Sequence, residues 1–273
     1  MKILLIVAVI ATLWASADAS EVKKDSWTKT YTVNASPTLV IRNVWGSVKV
    51  KPGPSGEIKV SVKEQRSAAT QEDFEWSKEV IQLSVDASDD AVKFKVGDPE
   101  KRWNSGRHCD DCRLELEFDV VVPPDALIDV RTVLDGDVQV RDIRGVVSAG
   151  NVNGAIDVSG VHNCARIKTV NGPVDIAFAK APTDDCSFDT INGDITLIVP
   201  ATAGLDVAVD LFNGDVSSDL PIEPMARPAS VEQVTKKGRN KFLIRKQSGF
   251  RIGSGGPLYT VESMNGDIQI RKQ

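Results

Sequence analysis

A glycine-centred corner returns at near-constant spacing through this chain and limits the folds open to it. An Asn-Gly or Asp-Gly pair between apolar residues occurs at Asp135-Gly136, Asn153-Gly154, Asn171-Gly172, Asn192-Gly193, Asn213-Gly214 and Asn265-Gly266, with a looser copy at Trp45-Gly46. The glycines at 136, 154, 172, 193 and 214 are 18, 18, 21 and 21 residues apart, a period in the range of stacked repeats. After the glycine, the second and fourth residues are apolar: Val138 and Val140, Ile156 and Val158, Val174 and Ile176, Ile195 and Leu197, Ile268 and Ile270. Ser218 is the one exception. Alternation of this kind marks a half-buried strand. Asn and Gly tolerate positive φ, so the chain turns sharply before each strand. Gly145, Gly160 and Gly204 mark a second turn, which gives each repeat two strands.

Two architectures use such a phrase. Asn-Gly between alternating strands is a hairpin signal, which would build an antiparallel sandwich or barrel. The regular spacing of like corners favours an all-β repeat fold: a β-solenoid, a β-helix-like stack of coils of about 18–21 residues with every Asn lying on the next. On this reading the solenoid covers residues 125–273, with an insertion over 221–257 before a closing coil. The insertion carries a Pro-rich loop at 221–228 and a basic stretch at 236–246.

Residues 20–124 differ, and read as a β-rich cap with one short helix. Strands are expected over 39–50, 57–63, 81–85, 91–96 and 113–122, the last stopped by Pro123-Pro124. A helix is expected over 70–80 with Thr70 as its N-cap. Such a segment covers the end of a repeat stack.

Residues 1–19 have the layout of a secretory signal peptide: Lys2, an apolar run over 3–14, then small residues that allow cleavage after Ala17 or Ala19. Twelve apolar residues are too few to span a bilayer, and no later stretch is long enough. No cysteine stands at the cleavage site to take a lipid. The expectation is an exported protein, periplasmic or extracellular and cell-surface associated. A formal charge of −5 without a basic stripe argues against nucleic acid as a partner. Aromatic residues make up 5% of the chain, which leaves few rings for stacking on sugars or bases.

The corner phrases resemble those of the bacterial putative adhesin family catalogued as domain of unknown function 4097. The similar residues are the repeated Thr-Val-Asn-Gly and Asn-Gly-Asp-Ile corners, the strand Val120-Val121-Val122-Pro123, and Gly253-Ser254-Gly255-Gly256-Pro257 leading into Met264-Asn265-Gly266-Asp267-Ile268. The resemblance runs from about residue 38 to the end. It implies a β-solenoid in exported or envelope-attached proteins with no established activity.

Chemistry-bearing residues are few. Cys109, Cys112, Cys164 and Cys186 are an even number in an exported chain, so disulfides are expected. Cys164 and Cys186 sit at nearly the same place in consecutive repeats, within reach of each other across neighbouring strands about 4.8 Å apart. That leaves Cys109 and Cys112, which read as a loop disulfide, half of a metal site or a redox pair. Asp137, Asp194, Asp215 and Asp267 follow corner glycines and read as solvated turn carboxylates, because the nine-residue repeat of calcium-binding β-rolls is absent. The histidines are His108 and His162, and no Gly-x-Ser-x-Gly elbow occurs. No catalytic residue, metal ligand or cofactor is assigned. The outward residues Asp137, Gln139, Asp157, Asp175, Asp194, Thr196, Asp215, Ser217, Asp267 and Gln269 form a candidate binding face. The expected function is a non-catalytic, adhesin-like binding or structural module for an envelope or extracellular protein or glycan. The alternative is a polysaccharide-active β-helix enzyme, a lyase or glycosidase using paired carboxylates.

Overall fold

The computed structural model describes residues 21–97, 109, 111–181, 183–225, 230–236, 239–245 and 248–273. The expected leader, His108 and Asp110 lie outside the described residues. The N-terminal segment forms β1 (Glu21–Thr32), β2 (Thr38–Arg42), β3 (Val48–Pro52), β4 (Glu57–Ala68), α1 (Gln71–Val80), β5 (Leu83–Ala87), β6 (Ala91–Val96) and β7 (Arg113–Val122). The repeats supply β8 (Leu127–Arg131), β9 (Val138–Arg141), β10 (Val146–Gly150), β11 (Ile156–Val161), β12 (Asn163–Lys168), β13 (Val174–Phe178), β14 (Cys186–Asn192), β15 (Ile195–Val199), β16 (Leu205–Asn213) and β17 (Val216–Ser218). The chain ends in β18 (Ile222–Met225), β19 (Ser230–Lys236), β20 (Arg239–Arg245), β21 (Ser248–Ile252), β22 (Leu258–Asn265) and β23 (Ile268–Lys272).

The described fold is all-β with one helix, in two large mixed sheets, neither of them closed. The first sheet has the order β1-β4-β7-β3-β9-β11-β13-β15-β23-β17, and the second β18-β21-β16-β22-β14-β12-β10-β8-β2-β6-β5. From β8 to β17 the chain alternates between them, and like strands of consecutive repeats pair in parallel as far as β14 and β15. Ile156 of β11 stands opposite Val138 and Val174, and Val174 stands opposite Ile195. A parallel ladder needs a crossover between its strands, so the hairpin reading of the Asn-Gly corners does not hold. The inward residues of both sheets share one buried cluster. Aromatic rings fill it at both ends of the stack: Phe178 and Phe188 lie 5.6 and 5.4 Å from Tyr259, and Phe94 lies 5.6 Å from Phe118.

Four features depart from the sequence reading. The stretch 39–50 is not one strand, because the corner at Trp45-Gly46 splits it into β2 in the second sheet and β3 in the first. The buried positions are 39, 41 and 43 before the corner and 46, 48 and 50 after it, so the alternation changes phase there. β1, a largely exposed edge strand paired with β4, carried no apolar run to announce it. The last copy of the phrase does not close the stack. β22 and β23 insert between β14/β15 and β16/β17, so the copy at 264–268 is next to last in space. Finally, the insertion is partly sheet: β21 and β18 extend the second sheet antiparallel beyond β16 and bury Phe250 and Ile252.

The helix forms where the sequence places it. Thr70 Oγ1 accepts the Asp73 N–H at 3.1 Å, and Glu72 and Asp73 meet the positive end of the helix dipole. At the other end Arg66, 8% exposed, donates to the carbonyls of Ser77 at 2.8 Å and Ile81 at 2.9 Å. Burial lowers its pKa and the neighbouring Glu64 raises it, and a guanidinium stays charged there.

Candidate binding faces

Each corner is built so that consecutive repeats lie in backbone contact. Gly172 has φ +152°, and a Cβ on it would stand 2.3 Å from the carbonyl oxygen of Gly154. Gly193 has φ +158° and would meet the Gly172 oxygen at 2.0 Å. Glycine is thus required twice over, by conformation and by space. The first corner divides these demands: Asp135 takes the positive φ, at +51°, while Gly136 supplies the room against Gly46.

Three columns of side-chain hydrogen bonds run through the corners. The carboxamides of Asn153, Asn171, Asn192, Asn265 and Asn213 form a ladder in that order, each Nδ2 from Asn171 onward donating to the Oδ1 of the asparagine before it at 2.8 to 2.9 Å. Three of the four corner aspartates are structural acceptors and not merely solvated. Asp137 accepts the Ala155 N–H at 2.8 Å, Asp194 that of Asp267 at 2.8 Å, and Asp267 that of Asp215 at 2.9 Å. Ala155 has no carboxylate to offer, and the residue above it is Pro173, which has no N–H to donate. The third column is buried and was missed in the sequence. Thr132, Asn151, Thr169 and Thr190 donate to the corner-glycine carbonyls of the preceding repeat at 2.8 to 3.5 Å, and Asn43 donates to Gly46 and Leu116. A signal existed: Asn43, Asn151, Thr169 and Thr190 stand two residues before the corner position, and Thr132 three before.

The candidate face therefore divides into two sets. Asp137, Asp194, Asp215 and Asp267 belong to the corners. Gln139, Asp157, Asp175, Thr196, Gln269 and Ser217 fall into one in-register row across β9, β11, β13, β15, β23 and β17. The backbone beneath them is held by the parallel ladder, so neighbours sit about 4.8 Å apart. Beside the row, Arg141 of β9 pairs with Asp157 at 3.2 Å, an exposed contact of small energetic weight. Asp175 is exposed.

The second sheet carries a row the sequence reading did not single out. Arg131, Gly150, Lys168, Asp189, Glu262 and Asp210 are in register across β8, β10, β12, β14, β22 and β16. Beside it an apolar ridge passes from Val152 and Val170 to Ile191, Met264 and Phe212. The basic half of the row and the ridge border a shallow groove of about 320 Å³, and the acidic half one of about 430 Å³.

Cys164 and Cys186 are joined across β12 and β14 with Cα atoms 5.7 Å apart, and Cys109 is joined to Cys112 at 5.5 Å. Bonded sulfurs are not thiolates, so the metal reading of Cys109 and Cys112 does not apply to this state, whereas a disulfide is equally a loop bridge and the oxidised form of a redox pair. Among the described residues no group of three metal-ligating side chains converges. His162 is half-buried; its pKa is lowered by burial, then by Lys180 and Arg144, against a smaller upward pull from Asp125.

No protein-family model matches the chain, and no curated protein does. Its outline is similar to three bacterial structures. A "putative cell adhesion protein" from Clostridium sporogenes is 11% identical with a TM-score of 0.45, over 92% of this chain and 100% of that one. A "putative adhesin" from Bacteroides fragilis is 8% identical at 0.30, over 91% and 97% of the two chains. A "putative lipid binding protein" from Parabacteroides distasonis is 9% identical at 0.32, also over 91% and 97%. Likeness at this level carries no residue role across.

Proposed function

We propose that this chain is an exported, non-catalytic binding module whose repeats form a β-solenoid with residues 20–124 as its cap. The observation that carries the reading is the row Gln139, Asp157, Asp175, Thr196, Gln269 and Ser217. It stands in register on a rigid ladder and remains outside the three columns that hold the corners together. A flat, regularly spaced polar row suits an extended partner, an envelope or extracellular protein or glycan, that contacts several repeats at once. Two disulfides fit an oxidising compartment.

The enzyme alternative has a weaker footing. Asp157 and Asp175 do stand side by side on adjacent strands, but on a sheet face and not in a cleft that would exclude water from a reacting sugar. The test is the triple variant Asp157→Lys, Asp175→Lys, Gln269→Lys in the mature protein. With thermal stability unchanged, it is expected to lose whatever co-purifies with the wild type from its native source, and to fail to restore attachment in a deletion strain. Full complementation by the triple variant would overturn the reading.

A further inference from the structure

The row on the second sheet is divided by charge along the stack. Arg131 and Lys168 lie on one side of its midpoint, and Asp189, Glu262 and Asp210 on the other. Three carboxylates in register on adjacent strands repel one another within a single chain. The ridge beside them is also divided, by size: Val152 and Val170 on the basic side, then Ile191, Met264 and Phe212, which are 38%, 51% and 77% exposed. Contiguous exposed apolar side chains of this kind mark interaction surfaces.

We propose that this face docks a second copy of the same chain, face to face. A two-fold axis lying in the interface, parallel to the strands between β12 and β14, keeps position along the strand and inverts position along the stack. Lys168 then faces the partner's Asp189, Arg131 faces the partner's Asp210, and Val152 and Val170 face the partner's Met264 and Ile191. Opposite charges meet, and small ridge residues meet large ones. Such a surface is self-complementary, the requirement for a closed two-fold dimer. A single-sign surface would instead repel its own copy. The dimer leaves the polar row of the first sheet outward on both copies, so it is independent of the binding role proposed above and would make that role bivalent.

The test is sedimentation of the full mature protein, alone and in mixtures. Wild type is expected to dimerise, with a dissociation constant that rises with salt because the facing charges are screened. Lys168→Glu alone sets a second carboxylate against the partner's Asp189, and Asp189→Lys alone sets a second ammonium against the partner's Lys168. Each is expected to weaken the dimer at least about tenfold. An equimolar mixture of the two variants pairs opposite charges again across both contacts, and is expected to recover association that neither shows alone. A change in folding of either chain would not be repaired by mixing. Wild type remaining monomeric to about 100 μM, a dimer indifferent to both reversals, or a mixture no stronger than its components would each overturn the proposal.

Discussion

At the scale of the residue, glycines in this fold do two separable jobs, and the difference is measurable. Gly97 has φ +74° with nothing within 4 Å of a Cβ, so only conformation requires it. Gly172 has φ +152° and the Gly154 carbonyl oxygen 2.3 Å from that Cβ. Gly97→Ala is expected to cost about 1 kcal/mol from backbone strain alone. Gly172→Ala adds displacement of a neighbouring backbone and is expected to cost roughly 3 kcal/mol or more. Denaturation midpoints of the two variants check this, and equal losses would show that the close approach is not real. The corner glycines were legible in the sequence because a turn needs them at fixed places. The reason the spacing is so regular was less so: each corner rests on the carbonyl of the one below it.

Among the elements, α1 shows how much of a helix can be read locally and where tertiary structure takes over. Its start is written in Thr70 and the acidic residues that follow. Its end depends on Arg66, which reaches from β4 to the carbonyls of Ser77 and Ile81. No local pattern predicts that contact, because the two partners are 11 and 15 residues further along. Arg66→Met keeps much of the buried stem and removes the donors, so it leaves carbonyls unpaired in a buried place. A loss of about 2 to 4 kcal/mol is expected, read from chemical denaturation at constant m-value. An unchanged midpoint would mean that water replaces the guanidinium. The strands show the same division. Alternation after the corner glycine announced β9, β11, β13, β15 and β23, whereas β1 is an edge strand with little to bury and gave no periodic signal.

For the whole molecule, the repeat period announced a stack but not its order. Corners at 193, 214 and 266 carry the same phrase, so nothing local says that the copy at 266 lies between the other two. What decides it is that β21 and β18 cover the outer edge of β16 and return the chain to the gap beside β14. The two rows of outward side chains were legible to different extents for the same reason. The first sheet follows the corner glycine directly and carries the alternation that draws attention to it, while Lys168, Asp189, Glu262 and Asp210 of the second sheet stand three residues before the corner asparagine, a fixed place that shows no pattern of residue type and so drew no attention until the sheet was seen. The central claim, a parallel stack with its last repeat inserted one place from the end, is tested most directly by pairs of introduced cysteines on the first sheet. Thr196 and Ser217 each stand opposite Gln269, at a strand spacing a disulfide can bridge. Thr196→Cys with Gln269→Cys, and Gln269→Cys with Ser217→Cys, are expected to cross-link within one chain under mild oxidation. Thr196→Cys with Ser217→Cys is two strands apart and is expected to remain reduced. Ready cross-linking of that last pair, with none between 196 and 269, would place the repeats in sequence order and contradict the account.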